Sequence, residues 1–265
     1  VAIKHAGTAA GEADDEFFVG YLPLPPRLAA GMKRMVAALL ALGAVVAGAA
    51  AGLVNDPGAG AWSDEAGQAW EGELSLQPYP MLRVPAPAGH WRTMLLVGEG
   101  KVGVAERARD FDGRWVRLRG TRLERDGRAM IEVASADDAI ERIDVPRDRP
   151  PSDGVMGLER VVDIRGEIID PKCYLGAMKP GEGKTHKACA ALCLRGGIPP
   201  MFVTRSESGE PVYYLLLDDA GEPLEGQAIE SVLPFVGDFV RLRGRAVAAG
   251  DMNYLKVNSV DIRRE

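Results

Sequence analysis

Gly113-Arg-Trp-Val-Arg-Leu-Arg-Gly120 returns downstream as Gly237-Asp-Phe-Val-Arg-Leu-Arg-Gly244. Each copy passes a polar turn, ERDGR or AAGDMN, and enters a further alternating run, MIEVAS or YLKVNS. Upstream, Gly72-Glu-Leu-Ser75 matches Gly166-Glu-Ile-Ile169, and TMLLVG takes the place that VYYLLLDD holds in the second copy. An internal repeat constrains a fold more than any single motif, because one supersecondary solution must serve twice. Within a copy the residues alternate: Trp115, Arg117 and Arg119 fall on one side of an extended chain, Val116 and Leu118 on the other. Alternation of period two, cut by glycine turns, is strand behaviour, and several such strands at short spacing predict a small barrel. The chain is therefore expected to be mainly β, with one barrel over 70–145 and another over 158–265. A linker is expected at 55–69, and VPRDRPPSDG, residues 145–154, signals a second one, expected at 146–157.

Ahead of the repeats, Met35–Val54 reads MVAALLALGAVVAGAAAGLV without a charge. As a helix rising 1.5 Å per residue it would span roughly 30 Å, enough for a bilayer core. Arg27, Lys33 and Arg34 precede it, while Asn55, Asp56, Asp64 and Glu65 follow. Because lysine and arginine favour the cytoplasmic side, residues 1–34 are expected on the cytoplasmic side of a bacterial inner membrane and 55–265 in the periplasm. Ala47, Ala49 and Ala51 also offer a signal-cleavage pattern, but the apolar run exceeds the usual length of a cleaved segment, which favours a retained anchor. Gly43, Ala47 and Ala51 recur every fourth position and would let a partner helix approach closely. The preceding EFFVGYLPLPPRL, residues 16–28, carries Pro23, Pro25 and Pro26 and is expected to be irregular, lying on the membrane or on a partner. Trp62 and Trp70 are expected to anchor the linker near the membrane surface, and His90-Trp91 to pack at a barrel edge.

The formal net charge is −6, which argues against a nucleic-acid partner. No catalytic triad, complete phosphate loop or dinucleotide fingerprint is present; Gly181-Glu-Gly-Lys184 is only a fragment of one. No small-molecule substrate is identifiable, and an enzymatic role is not favoured.

The second copy holds what the first lacks. All three cysteines, Cys173, Cys189 and Cys193, fall in one insertion with His186, and YPMLRVPAPAGHW stands in the corresponding place of the first copy. Thr185 is a plausible N-cap and Gly196-Gly197 a stop for a short helix. On that helix His186, Cys189 and Cys193 sit at i, i+3 and i+7, one face, over which Cys173 can close. Three thiols and an imidazole suit zinc, copper or an iron–sulfur centre. In an oxidising compartment Cys173 can instead be disulfide-bonded to Cys189 or Cys193, leaving a spare thiol, and thiol-disulfide chemistry is a third reading. Residues 165–195 carry six Lys or Arg (165, 172, 179, 184, 187, 195) against three acids (167, 170, 182). Lys172, Lys179, Lys184, Lys187 and Arg195 thus form a candidate docking patch for an acidic partner.

The pattern D-x-x-C-x-x-G…H-x-x-C-x-x-x-C, followed by Y-x-L and V-x-L-x-G strands, resembles a poorly characterised family of exported bacterial OB-fold-like proteins. The matching residues are Asp170, Cys173, Gly176, His186, Cys189, Cys193, Leu194, Gly197, Tyr213 or Tyr214, Leu215 and Val240-Arg-Leu-Arg-Gly244, so the likeness covers only about 160–265. Tyr174 stands where the family usually has glycine. The resemblance implies an OB-like barrel and export, and no reaction. The expected function is a membrane-anchored accessory subunit of an envelope complex, respiratory or redox, with integral membrane subunits as partners; the alternatives are a metal-binding module and a thiol-disulfide protein.

Overall fold

Helix α1 (Pro26–Leu53) begins at a proline, where the missing N–H removes no helical hydrogen bond. The computed structural model describes residues 25–53, 60–63, 68–147 and 157–265. Pro26, Arg27 and Leu28, expected to be irregular, are helical, since a proline in the first turn fits a helix that it would break further in. Arg27, Lys33 and Arg34 are good helix formers, so the helix extends well before the uncharged run. Pro26–Ala51 is long and apolar enough to cross a membrane. Leu39, Leu40, Leu42, Val45 and Val46 are all exposed on it. Gly43, Ala47 and Ala51 lie along one side of α1, also exposed. The rest of the segment before Pro25, and Asn55 and Asp56, lie outside the described residues. The chain divides into two compact units, Val1–Asp56 and Pro57–Glu265.

The second unit contains two closed five-stranded barrels. The first comprises β1 (Ala61–Ser63), β2 (Ala69–Ser75), β3 (Met81–Pro85), β4 (Trp91–Gly98), α2 (Ala105–Ala108), β5 (Trp115–Arg125), β6 (Arg128–Val133) and β7 (Ile140–Arg142). It closes in the order β2-β3-β4-β6-β5-β2, with β4 and β6 parallel and the other neighbours antiparallel; β1 and β7 extend β5. The second comprises β8 (Arg160–Ile169), α3 (Lys187–Arg195), β9 (Met201–Arg205), β10 (Pro211–Leu217), α4 (Gly226–Val232), β11 (Phe239–Ala249), β12 (Met252–Lys256) and β13 (Ile262–Arg264). It closes as β8-β9-β10-β12-β11-β8, again with one parallel pair, β10 and β12.

The registers follow the repeat. Gly72 faces Val116 in one barrel and Gly166 faces Val240 in the other. A Cβ on Gly72 or Gly166 would strike the carbonyl of Arg83 or Val203, and one on Gly120 or Gly244 would strike that of Glu132 or Lys256. Bare backbone at these crossings lets the sheet curl onto itself. Val116 and Leu118 enter the core of the first barrel with Leu74, Leu82 and Ile131; Val240 and Leu242 enter that of the second with Phe202 and Leu255. The β5–β6 hairpin turns on Asp126 and Gly127, both at positive φ (50° and 75°), the two-residue geometry that matches strand twist. A third apolar cluster is shared by the barrels, joining Met81, Leu95, Val97 and Met130 to Leu175, Ile198, Met201 and Leu215. Tyr79 stitches the same seam, donating to Leu216 O at 2.6 Å and accepting from Leu224 N at 2.9 Å.

Several expectations need correction. Trp70 packs against the first barrel's core, and Trp62 lies on β1 opposite Leu123, so part of the expected linker is sheet. Trp91 is buried edge-on to Trp115, with Arg83 over its face, while His90 is exposed. MLRVP is strand β3, the positional equivalent of β9; the counterpart of the cysteine segment is therefore only residues 76–80. Of the second linker, residues 148–156 lie outside the described residues.

Candidate metal centre

The β8–β9 crossing, residues 170–200, builds the site. Asp170 leaves the end of β8, and its carboxylate accepts Lys172 N at 2.9 Å, turning the chain into a single π-turn, Cys173–Ala177. Helix α3 then carries Cys189 and Cys193 one turn apart. It starts at Lys187, with His186 in the capping position and no side-chain cap. Thr185, expected to cap it, is exposed; the turn from Gly183 O to His186 N (3.0 Å) starts the helix one residue later.

The expected Cys3His set is drawn together, but as two triads. A ring nitrogen of His186 and the sulfurs of Cys173 and Cys189 lie within 4.8 Å of one another, as do the sulfurs of Cys173 and Cys193 and a carboxylate oxygen of Asp170. Cys173 belongs to both. All three cysteines are free thiols. Asp170, Cys173, Cys193 and His186 are buried, and Cys189 stands partly open at the mouth. His186 Nε2 and Asp170 Oδ2 are buried without a hydrogen-bond partner. A buried polar atom left without a partner costs about 1–3 kcal/mol, and an ion held among these donors would satisfy His186 Nε2.

The hydrogen bond shared with Cys193, then burial and the Asp170 charge, push the Cys173 thiol up. The same bond holds the Cys193 thiol below its ordinary value. Burial lowers His186, keeping its imidazole neutral, the form that ligates metal.

The first barrel contributes a residue that sequence reasoning missed. Lys101, in the loop after β4, places Nζ 2.7 Å from Cys189 Sγ and 3.6 Å from Cys193 Sγ. The bond to Cys189 raises its ammonium further above the ordinary lysine range. The loop is pinned where Gly103 N donates to Gly196 O at 2.7 Å, and a Cβ on Gly196 would strike Lys101 O. No local pattern signals this contact. Asp170, by contrast, had a signal in its D-x-x-C spacing to Cys173.

The basic patch is reduced. Lys172 is buried and crosses into the first barrel, donating to Gly98 O (2.8 Å) and Gly100 O (2.6 Å) beside Glu132 at 3.1 Å. It is no docking cation, because a buried ammonium needs carbonyls and a carboxylate around it. Burial still outweighs that lysine and raises the Glu132 carboxyl. Lys187 pairs with Asp238 and Arg195 with Glu230, while Lys179, Lys184 and Arg195 are exposed. A separate groove of about 480 Å³ runs over β8, β9 and β11, lined by Glu167, Tyr174, Thr204 and Arg241 among others. There Glu167 accepts Gly183 N at 2.6 Å, and burial pushes its carboxyl up to about 7.

No protein-family model, curated protein or solved structure matches this chain.

Proposed function

We propose that this protein is a membrane-tethered module that holds a thiophilic metal ion and serves an integral membrane complex of the bacterial envelope as an accessory, non-catalytic subunit. The observation that carries the metal reading is the convergence of three thiols, His186 and Asp170 with two orphaned buried atoms. Thiolate and imidazole donors select zinc, copper or iron–sulfur chemistry over hard cations. A closed five-stranded barrel with one parallel pair also supports the OB-like reading, and with it the resemblance to exported OB-fold-like proteins. The exposed apolar helix α1 supports the tether, and its Gly43, Ala47 and Ala51 side supports a helical partner. The positive residues before the apolar run favour a cytoplasmic N-terminus and periplasmic barrels.

The test is elemental analysis of full-length protein extracted from membranes without oxygen. Bound zinc, copper or iron is expected in the wild type and lost in Cys173→Ser and His186→Ala. Metal-free wild-type protein with a Cys173–Cys193 disulfide would overturn the reading in favour of thiol redox chemistry. Recovery of the chain in the soluble fraction would overturn the tether.

A further inference from the structure

Lys101 takes a thiol where a surface lysine ordinarily takes a carboxylate or water. Among the described residues its side chain reaches only Cys189 Sγ, at 2.7 Å, and Cys193 Sγ, at 3.6 Å. The shorter separation is tight even for N–H···O, which centres on about 2.9–3.0 Å, and sulfur is the larger atom. A single oxygen atom bonded to both nitrogen and sulfur holds them at a separation of this size. We propose that dioxygen closes an N–O–S bridge between Lys101 Nζ and Cys189 Sγ when the site is empty of metal, and that the bridge withdraws Cys189 from the ion. The withdrawal rests on the metal-binding reading above; the bridge does not.

The pair is held in place from both sides. Cys189 is fixed on α3, and Gly103 N donates to Gly196 O, just beyond the end of that helix, at 2.7 Å. Gly196 also packs so closely on Lys101 O that a Cβ there would strike it. Two reacting groups held in contact behave as if at very high concentration. Access is selective as well. Lys101 is exposed and Cys189 partly open, whereas Cys173 and Cys193 are buried. Oxidation of a thiol follows exposure, so it begins at Cys189. The buried pair share a hydrogen bond with each other, which leaves Lys101 as the partner at the mouth.

The step balances from amine and thiol. One N–H bond and the S–H bond break, N–O and O–S bonds form, and the O–O bond of dioxygen is cleaved. Nitrogen and sulfur each give up two electrons and dioxygen takes all four. Its second oxygen leaves as water with the two hydrogens. A dithiol reverses the step, becoming a disulfide while lysine, cysteine and water are returned. Bridged, Cys189 is no longer a thiolate donor. Loss of a ligand's orienting partner alone costs about 10–100-fold in metal affinity, so losing the ligand should weaken zinc binding by at least about 10-fold.

The experiment uses full-length protein in detergent micelles, stripped of metal with a chelator and divided between nitrogen and air. Both halves are weighed and peptide-mapped by mass spectrometry, before and after dithiothreitol. In air the chain should gain one oxygen and lose two hydrogens, with the Lys101 and Cys189 peptides joined until dithiothreitol parts them. Lys101→Arg, which keeps the charge, and Cys189→Ser should stay unjoined. Loss of two hydrogens alone, as in a disulfide or a direct N–S bond, overturns the bridge, and so does a joined pair in Lys101→Arg. Zinc is then titrated into both halves. Equal affinity in bridged and reduced protein overturns the withdrawal of Cys189. Zinc bound by the reduced half with no bridge in air overturns this inference and leaves the metal reading standing. A bridge in protein that binds neither zinc, copper nor iron upholds the bridge and overturns the metal reading, and with it the withdrawal.

Discussion

The two barrels close in the same strand order, and only one carries a cluster. In the first, β2 reaches β3 through residues 76–80; in the second, β8 reaches β9 through residues 170–200. The frame is held by glycines at the crossings and alternate apolar residues, which the inserted segment leaves in place. Chemistry can therefore be added at one crossing without redesigning the barrel. The plain barrel nevertheless takes part. It sends Lys101 to the thiols of its neighbour and receives Lys172 in return.

The largest effect should come from breaking that exchange. Lys172→Ala leaves Glu132 buried without its ammonium and should cost about 3–5 kcal/mol in chemical denaturation. The double variant Lys172→Met with Glu132→Leu should recover most of the loss, and failure to recover would assign the cost to something other than the stranded charge. Lys187→Ala removes a one-third-exposed ammonium from buried Asp238, which keeps Arg264 at 2.7 Å, and should cost less, about 1–2 kcal/mol.

The equivalence of the frames is tested next. Leu118 and Leu242 occupy matching positions on β5 and β11, both fully buried. Each Leu→Ala change should cost about 2–5 kcal/mol. A cost confined to one of them would break the comparison.

A smaller, pH-dependent effect separates the first strands. Glu73 lies opposite Arg83, whereas Glu167 lies opposite Val203 and over the groove. The folded Glu167 carboxyl titrates near 7, above its unfolded value. The unfolded chain therefore loses this proton first as pH rises, so stability falls between about pH 4.5 and 7 and stays lower above that window. Glu167→Gln, which still accepts Gly183 N, should stabilise the protein by about 1–2 kcal/mol at pH 8, allowing for partial exposure, with no gain at pH 4. An equal gain at both pH values would remove burial of the charge as the cause.

Much of this was open to a reader of the sequence. The V-R-L-R-G runs announced strands, because side-chain direction along a strand depends only on parity. The i, i+3, i+7 spacing put His186, Cys189 and Cys193 on one face for a similarly local reason. A charge-free run long enough to span a bilayer was visible by counting. Other features were hidden. Lys172 looked like its solvated neighbours, since nothing within a few residues reports the carbonyls of Gly98 and Gly100 or the carboxylate of Glu132. Trp70 read as a membrane anchor because sequence cannot tell an interfacial indole from one packed on a barrel.

By itself, then, the sequence determined the strands, the helical face of the cluster and the apolar helix, all of them consequences of spacing along the chain. Tertiary structure alone decided that five donors form two triads sharing Cys173, and that two lysines change places between barrels. Those facts depend on where the two closed sheets meet, and contacts between residues 88 apart, as Lys101 and Cys189 are, leave no periodic trace.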